Sequence, residues 1–340
     1  MKPVDVLVVG AGAIGGVVSA GLPPGGRRVV LTRTEAQAAR LRDGGWTVDG
    51  VALGPVDAVG SLDGQAPFDV VLLTVPPDAV EAATAAMAPW LRPDGRVVVL
   101  QNGLCEERVA AVVGAERVVG AIVMFGASVE PSGDVRRTSA GGFTLGRLDG
   151  RSDGLEAIAA LLAPIGPVQL TADLRGARWT KLVFNAAVST LGTVGGAAVG
   201  PLLRDLGVRR AALALMAEGV AVAAAEGVTL QPLAGGLDLA WLVRRDVGWL
   251  GRALRHAVML AVGLRYRSLR SSMLRALEAG KRPPVDWLNG EIVASGRRNG
   301  VPTPANEAAV AAVHRLADGD GRPGWEAVRA LVGALRAVGG

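Results

Sequence analysis

Short apolar runs alternate with helical patterns over the first 172 residues. The runs are rich in β-branched residues, as is typical of strands covered on both faces. They lie at Val4–Val9, Arg28–Thr32, Asp69–Val75, Arg96–Leu100 and near 168–171. Because helical patterns separate several of these runs, this part predicts a mostly parallel sheet with helices on both faces. Asp49-Gly50, between two short apolar segments, predicts a tight hairpin turn.

Strand patterns stop after about Ala172, and apolar residues then recur at helical spacing. The helical segments are 174–192, 208–226, 239–262, 268–279, 285–299 and 305–316. We therefore predict two domains, an α/β domain over 1–172 and an all-helical domain over 173–340. The helical domain is expected to hold the substrate. A homodimer that forms through this domain is a further possibility.

A glycine pattern follows the first predicted strand and opens a helix. It comprises Gly10, Gly12 and Gly15, with Ala13 and Ile14 between the last two. In this context the glycines permit a tight turn, let the backbone approach a pyrophosphate, and let the helix pack on the strand. The pattern predicts a dinucleotide site in a Rossmann-like, doubly wound sheet, with the phosphates at the helix N-terminus.

The end of the second predicted strand indicates which nicotinamide cofactor binds. An NAD site usually has an acidic residue there, which binds the ribose 2′-hydroxyl. This chain has Arg33 there and no carboxylate until Glu35. A guanidinium matches the geometry of a 2′-phosphate, so we predict NADPH. The alternative is a solvent-exposed arginine with no ligand.

Lysine is rare in this chain, because only Lys2, Lys181 and Lys281 occur among 36 basic residues. Lys181 lies in an apolar helical segment with Asn185 and Ser189 at i+4 and i+8, so the three share one helix face. A protonated lysine beside a carbonyl can donate a proton and stabilise the developing alkoxide. The alternative is a surface lysine whose stem is buried and whose ammonium group lies in water.

Motifs in the same order along nearly the whole chain resemble those of the ketopantoate reductase (2-dehydropantoate 2-reductase) family. They are the Gly10–Gly16 loop, Gln101-Asn102-Gly103, Lys181-Leu-Val-x-Asn185, Ser271-Ser272-Met273, Asp286-x-x-Asn289-Gly290 and the stretch 299–306. The resemblance implies that Lys181 is the general acid and that Asn102 and Asn185 orient substrate and cofactor. It also implies that Ser272 holds the substrate carboxylate.

Two further groups of site residues come from the same resemblance. Thr74 and Val75 are expected to contact the cofactor, and Ser189, in place of a usual asparagine, to contact the substrate. The chain also departs from the family pattern, because Pro284 replaces a usual glutamate and Pro76 a frequent lysine. Neither proline offers an acid, a base or a donor.

These residues predict NADPH-dependent reduction of a 2-oxo acid, either 2-dehydropantoate to pantoate or a related ketone. One alternative is a reductase recruited to a different ketone or imine in specialised metabolism. The other is a non-catalytic NADP(H)-binding sensor or scaffold.

Composition excludes several other classes of function. The net charge is +5, but the basic residues are scattered without interleaved aromatic residues, so we expect no nucleic-acid partner. The uncharged segment Leu182–Leu203 contains polar residues, glycines and a proline, and it predicts a buried core helix rather than a membrane span. A single cysteine, Cys105, fits a cytoplasmic protein without disulfides, and no metal site is predicted.

The arginine-rich stretch 238–268 leaves two interpretations open. Its apolar residues recur at helical spacing, so it could meet a membrane surface or an anionic partner. The alternative is that one face packs on the core or on a sister subunit.

Overall fold

The computed structural model describes residues 3–130, 132–233, 236–244, 248–268 and 270–338. The chain divides into two compact units, Met1–Leu174 and Arg175–Gly340. The division lies two residues beyond the expected boundary at 172.

The first unit contains the α/β half of the chain. Its strands are β1 (Val6–Val9), β2 (Arg28–Leu31), β3 (Thr47–Val48), β4 (Val51–Ala52), β5 (Ala58–Val59), β6 (Phe68–Leu73), β7 (Leu91–Val99), β8 (Val118–Val123), β9 (Ala127–Val129), β10 (Val135–Arg137), β11 (Phe143–Gly146) and β12 (Val168–Leu170). Its α-helices are α1 (Ala13–Gly21), α2 (Glu35–Gly44), α3 (Val80–Met87), α4 (Glu106–Val113) and α5 (Leu155–Leu162). The next helix, α6 (Leu174–Val194), begins at the last residue of this unit.

An eight-stranded sheet runs in the order β12-β11-β8-β7-β6-β1-β2-β5. All neighbouring strands are parallel except β8 and β11. Alternate residues of β1 enter opposite cores: Val6 and Val8 pack in one cluster, Leu7 and Val9 in the other. The sheet is thus covered on both faces, which confirms the predicted α/β class. Since β2 and β6 flank β1 on opposite sides, the strand order reverses at the carboxyl end of β1, where such sheets bind ligands.

A second sheet of four short strands, ordered β4-β3-β10-β9, belongs to the same unit. The predicted hairpin at Asp49-Gly50 joins β3 to β4, and both residues have positive φ angles of 53° and 82°. That conformation matches the twist of the two strands. Helices α2 and α4 were not predicted from the sequence. Helix α2 buries only Ala38 and Leu41, so its apolar pattern is weak.

The second unit is helical. Besides α6, its helices are α7 (Val199–Leu202), α8 (Leu206–Ala225), α9 (Leu239–Val243), α10 (Trp249–Arg265), α11 (Ser272–Glu278), α12 (Asn289–Arg298), α13 (Pro304–Ala317) and α14 (Trp325–Val338). Among the residues that the structure describes, no helix is long and apolar enough to cross a membrane.

The helices of this unit differ from the predicted ones at several points. The single helix expected over 239–262 is two, because Arg244 has extended backbone angles after α9; residues 245–247 lie outside the described ranges. The segment expected to be helical over 285–299 begins with a 3-10 turn at Val285–Trp287, and α12 starts only at Asn289. Helix α14 was missed, although its buried residues have helical spacing: Val328, Leu331, Val332 and Leu335.

Candidate functional site

The loop between β1 and α1 has the backbone geometry that the glycine pattern predicts. Gly10 has a φ angle of 109°, which side chains rarely adopt. A Cβ atom on Gly15 would lie 2.0 Å from the carbonyl oxygen of Gly10, so only glycine fits there. A Cβ atom on Gly12 would meet nothing within 4 Å. The loop is therefore tight on its inner side and open at Gly12, where a pyrophosphate could approach the backbone.

The segments that follow β6 and β7 hold this loop in place. The Thr74 hydroxyl lies 2.9 Å from the Val9 carbonyl oxygen and 2.8 Å from that of Gly10, so it donates within the loop. Gln101 Nε2 donates to the carbonyl oxygen of Val75 at 2.9 Å. Asn102, the next residue, is exposed. Thr74, Val75 and Asn102 thus lie on the segments leaving two adjacent parallel strands, and the hydroxyl of Thr74 fixes the glycine loop.

In the turn between β2 and α2, Arg33 is exposed, whereas Glu35 is hydrogen-bonded to other residues of the protein. Thr34 caps α2, since its hydroxyl accepts from the Gln37 amide at 3.3 Å, and Arg33 beside it is exposed. Glu35 is held by Arg42, with Nη2 2.5 Å from Oε1, and by the Gly60 amide, which donates to Oε2 at 3.0 Å. The hydrogen bond from Arg42 is the largest cause that lowers the pKa of Glu35. The first carboxylate after β2 is therefore already bonded within the protein.

Helix α6 carries Lys181, Asn185 and Ser189 on one face. From Arg178 to Gly195, these three residues are the half-buried positions and all the others are buried. This burial pattern follows the i, i+4, i+8 spacing and gives the helix one polar stripe. Lysine and asparagine on adjacent turns can present an acid and a hydrogen-bonding amide to one ligand.

The two serines at the start of α11 have different surroundings. Ser271 is buried, and its hydroxyl accepts from the Met273 amide at 3.1 Å and from Thr193 Oγ1 at 3.2 Å. Ser271 therefore caps α11 and joins it to α6. Ser272 is the first residue of α11 and is exposed, so it is the serine that can meet a ligand.

The two asparagines in the other matched motifs are structural. Asn289 and Asn306 are fully buried, and Asn289 Nδ2 donates to Asn306 Oδ1 at 2.9 Å. Thr190 Oγ1 donates to Asn289 Oδ1 at 2.6 Å, and Asn306 Nδ2 donates to Glu218 Oε2 at 2.7 Å. Burial raises the pKa of Glu218, although three N–H donors oppose it. This buried chain of bonds ties α6, α8, α12 and α13 together.

Three glutamates were missed by the sequence analysis. Glu106, in the first turn of α4, and Glu291, in the first turn of α12, are 4% and 6% exposed. The half-buried Glu218 ends the chain of bonds just described. None of the three lies in a motif that marks it. Pro284, in place of the usual glutamate, is half-buried and precedes the 3-10 turn. In the described ranges, no three His, Cys, Asp or Glu side chains form a group that could hold a metal ion.

Comparison with known proteins finds matches along both units. The family described as "Ketopantoate reductase PanE/ApbA" matches residues 6–150, and "Ketopantoate reductase PanE/ApbA C terminal" matches residues 173–317. A 2-dehydropantoate 2-reductase of Mesorhizobium japonicum is 27% identical over 343 residues, which cover 92% of this chain and 97% of the relative. One of Archaeoglobus fulgidus is 28% identical over 308 residues, with 90% and 95% covered.

Solved structures agree with these matches. A PanE/ApbA family ketopantoate reductase from Ralstonia eutropha JMP134 superposes with a TM-score of 0.74 at 27% identity, covering 93% of this chain and 99% of the other. D-mandelate dehydrogenase, solved with NADH and anilino(oxo)acetate, has a TM-score of 0.75 at 19% identity and covers 93% and 98%. The latter likeness concerns the fold.

A Rossmann-type unit of the NAD(P)-binding kind, followed by a helical unit, defines the class of protein: it is an oxidoreductase. Family matches cover both units in order. The chain belongs to the ketopantoate reductase family.

Proposed function

We propose that the protein reduces the carbonyl group of a 2-oxo acid with NADPH and that Lys181 is the general acid. The observation that carries this proposal is the polar stripe of α6, where Lys181 and Asn185 are half-buried and the residues between and around them, from 178 to 188, are buried. Family membership supplies the reaction class. The substrate is 2-dehydropantoate or a related ketone.

The first unit would hold the cofactor. Backbone amides of the loop from Gly10 to Gly15, which includes Ala13 and Ile14, would bind the pyrophosphate at the open side beside Gly12. When bound, the nicotinamide supplies the hydride for the carbonyl carbon. Asn102 and the segment Thr74-Val75 would contact the cofactor from the ends of β7 and β6.

NADPH is proposed rather than NADH because of what surrounds the turn after β2. Arg33 is exposed there, and a guanidinium can form two hydrogen bonds with a phosphate. The carboxylate of Glu35 already accepts from Arg42 and from the Gly60 amide, so a ribose hydroxyl would have to share its two oxygens with them. A 2′-phosphate therefore gains a partner at this turn.

Lys181 would transfer its ammonium proton to the carbonyl oxygen as that oxygen becomes an alkoxide. Its positive charge stabilises the negative charge that develops there. Asn185, one turn along, would orient the substrate, and Ser189 would extend the same stripe. The exposed Ser272 would hold the substrate carboxylate through its hydroxyl.

Pro284 supports a second candidate, a reductase of a different ketone or an imine. Its ring offers no carboxylate to a hydroxylated substrate, and it is half-buried. The two candidates share cofactor and acid and differ only in the substrate.

NADPH oxidation tests the proposal with 2-dehydropantoate and a panel of other 2-oxo acids, ketones and imines. Lys181→Ala is expected to lower kcat at least about 100-fold, the usual contribution of a general acid. Lys181→Arg is also expected to fail, because a guanidinium does not release its proton. Lys281→Ala is the matched control, since Lys281 is exposed and far along the chain from α6. Normal turnover by Lys181→Ala would refute the role of Lys181, and NADPH binding without turnover on any carbonyl would favour a non-catalytic sensor.

The cofactor assignment has its own test. Arg33→Ala is expected to weaken NADPH binding at least about tenfold, because the loss of even one hydrogen bond to a charged group costs about 1.5–3 kcal/mol. NADH binding should be unchanged. Arg40→Ala is the matched control, because Arg40 is an exposed arginine on α2. An unchanged preference for NADPH in Arg33→Ala would show that another residue binds the 2′-phosphate.

A further inference from the structure

Helices α8 and α10 pack against one another, and basic side chains gather where they meet. Val208 of α8 and Met259 of α10 line the same apolar cavity. Four basic residues lie within about one turn of these two along their helices: Arg209, Arg210, Arg255 and His256. These four residues form the α8–α10 cluster.

No acidic side chain neutralises the α8–α10 cluster within the described part of the chain. Its three arginines form no ion pair there, whereas Arg270 and Arg297 of the same unit each pair with a glutamate. Helix α10 has no acidic residue. Asp205, the N-cap of α8, lies toward Arg336 of α14, since both side chains come within 3.2 Å of the Cβ position on Gly207. The cluster therefore holds like charges together, which favours a bound anion.

Two of the arginines are already fixed in place. Nη1 of Arg209 donates to the carbonyl oxygens of Leu203 and Arg204, at 2.7 and 2.8 Å. Nη1 of Arg255 donates to carbonyl oxygens at the end of α9, whose acidic N-cap, Asp238, lies at the other end of that helix. In both guanidinium groups Nη2 bonds to no described residue and is not buried. Each group is thus held by one nitrogen and offers another, so an anion would not have to order it.

His256 lies beside these guanidinium groups, in surroundings that favour its neutral form. Burial lowers the pKa of its ring, and the positive charges of the three arginines lower it further. Its Nδ1 is buried and bonds to no described residue, whereas Nε2 reaches solvent. A neutral ring carries one proton, and Nε2 is the nitrogen that can donate it to a ligand.

We propose that the α8–α10 cluster binds the phosphate group of a small soluble molecule. Guanidinium groups match phosphate oxygens in both geometry and charge. The exposed Arg210 and the Nη2 atoms of Arg209 and Arg255 would bind these oxygens, and the histidine would donate from Nε2. All four residues belong to the helical unit, whereas the glycine loop proposed for the cofactor belongs to the first unit.

Anion binding at this cluster is coupled to the protonation of His256. A dianion beside the ring favours the imidazolium form and should raise its pKa by about one unit. Because such coupling is reciprocal, the anion should bind more tightly as the pH falls through that range. Sulfate separates this effect from the titration of phosphate itself, because sulfate stays a dianion at these pH values.

NMR of the histidine rings tests the proposal on the full chain, since His256 and His314 are its only histidines. The pH titration is repeated in sodium chloride, sulfate and phosphate at equal ionic strength, and His314→Gln assigns the signals. Sulfate and phosphate are expected to raise the pKa of His256 relative to chloride. His314, which pairs with Asp286, should give the same titration curve in all three salts. A titration of His256 that is the same in all three salts would overturn the proposal.

Calorimetric titration of variants with sulfate locates the anion. Arg210→Gln should weaken sulfate binding several-fold, and His256→Gln should remove its pH dependence. Arg329→Gln, at an exposed arginine of α14, is the matched control and should bind sulfate as wild type does. Circular dichroism checks that each variant is folded. Wild-type affinity in Arg210→Gln would overturn the site, and a shift of the His256 signals by NADPH alone would assign the cluster to the cofactor instead.

Discussion

Replacing Asn289 by alanine is expected to destabilise the helical unit and leave its chemistry intact. Asn289 is fully buried and bonds on both sides: its Oδ1 accepts from Thr190 at 2.6 Å, and its Nδ2 donates to Asn306 at 2.9 Å. Alanine removes both hydrogen bonds. The Thr190 hydroxyl then lacks this acceptor, and the side-chain oxygen Oδ1 of Asn306 lacks this donor, inside the buried core.

The cost follows from those two groups. A buried polar group that loses its partner costs about 1–3 kcal/mol, so the variant should lose about 2–6 kcal/mol of unfolding free energy. For a unit of this size, each kcal/mol lowers the melting temperature by about 2–4 °C. The expected decrease is therefore about 4–24 °C.

Thermal unfolding followed by circular dichroism measures the change, with NADPH affinity and turnover measured well below the transition. Asp286→Ala is the control on the adjacent 3-10 turn: Asp286 pairs with His314 at 3.0 Å, but it is exposed, so its loss should cost less than about 1 kcal/mol. An Asn289→Ala variant with an unchanged melting temperature and lost turnover would refute the structural assignment and make Asn289 part of the active site.

Two further predictions concern the first unit. Gly15→Ala should destabilise the protein and abolish NADPH binding, because the new Cβ atom would lie 2.0 Å from the Gly10 carbonyl oxygen. Gly12→Ala should keep the melting temperature of the wild type and bind NADPH more weakly. Equal melting temperatures of the two variants would contradict this geometry. Hydrogen bonding from the buried Arg147 lowers the pKa of Asp149 to about 2 from 3.8. A carboxyl group whose pKa is lower in the folded protein stabilises the fold at pH values above its unfolded pKa. Asp149→Asn should therefore lower the melting temperature at neutral pH. The difference in melting temperature from wild type should shrink as the pH falls from about 4 toward 2. A constant difference across that range would show that the ion pair does not cause it.

Local patterns predicted much of the fold and part of the candidate site. The context of a strand, glycines and a helix predicts the loop at Gly10–Gly15, and the observed backbone has that geometry. The spacing of Lys181, Asn185 and Ser189 predicts a shared face, and the burial along α6 follows it. These features depend on residues that lie near one another in the chain, which is why sequence reveals them.

Long-range contacts could not be predicted in this way. Glu35 accepts a hydrogen bond from the Gly60 amide, which lies 25 residues further along the chain. The bond between Thr190 and Asn289 spans 99 residues, and no local pattern marks it.

Single-turnover reduction of 2-dehydropantoate, or of the best 2-oxo acid from the panel, with saturating NADPH measures whether Lys181 is the proton donor of an NADPH-dependent reductase. Wild type and Lys281→Ala are expected to transfer hydride at the same rate. Lys181→Ala is expected to bind NADPH normally and to transfer hydride at least about 100-fold more slowly. Equal rates in all three proteins would show that Lys181 is not the proton donor.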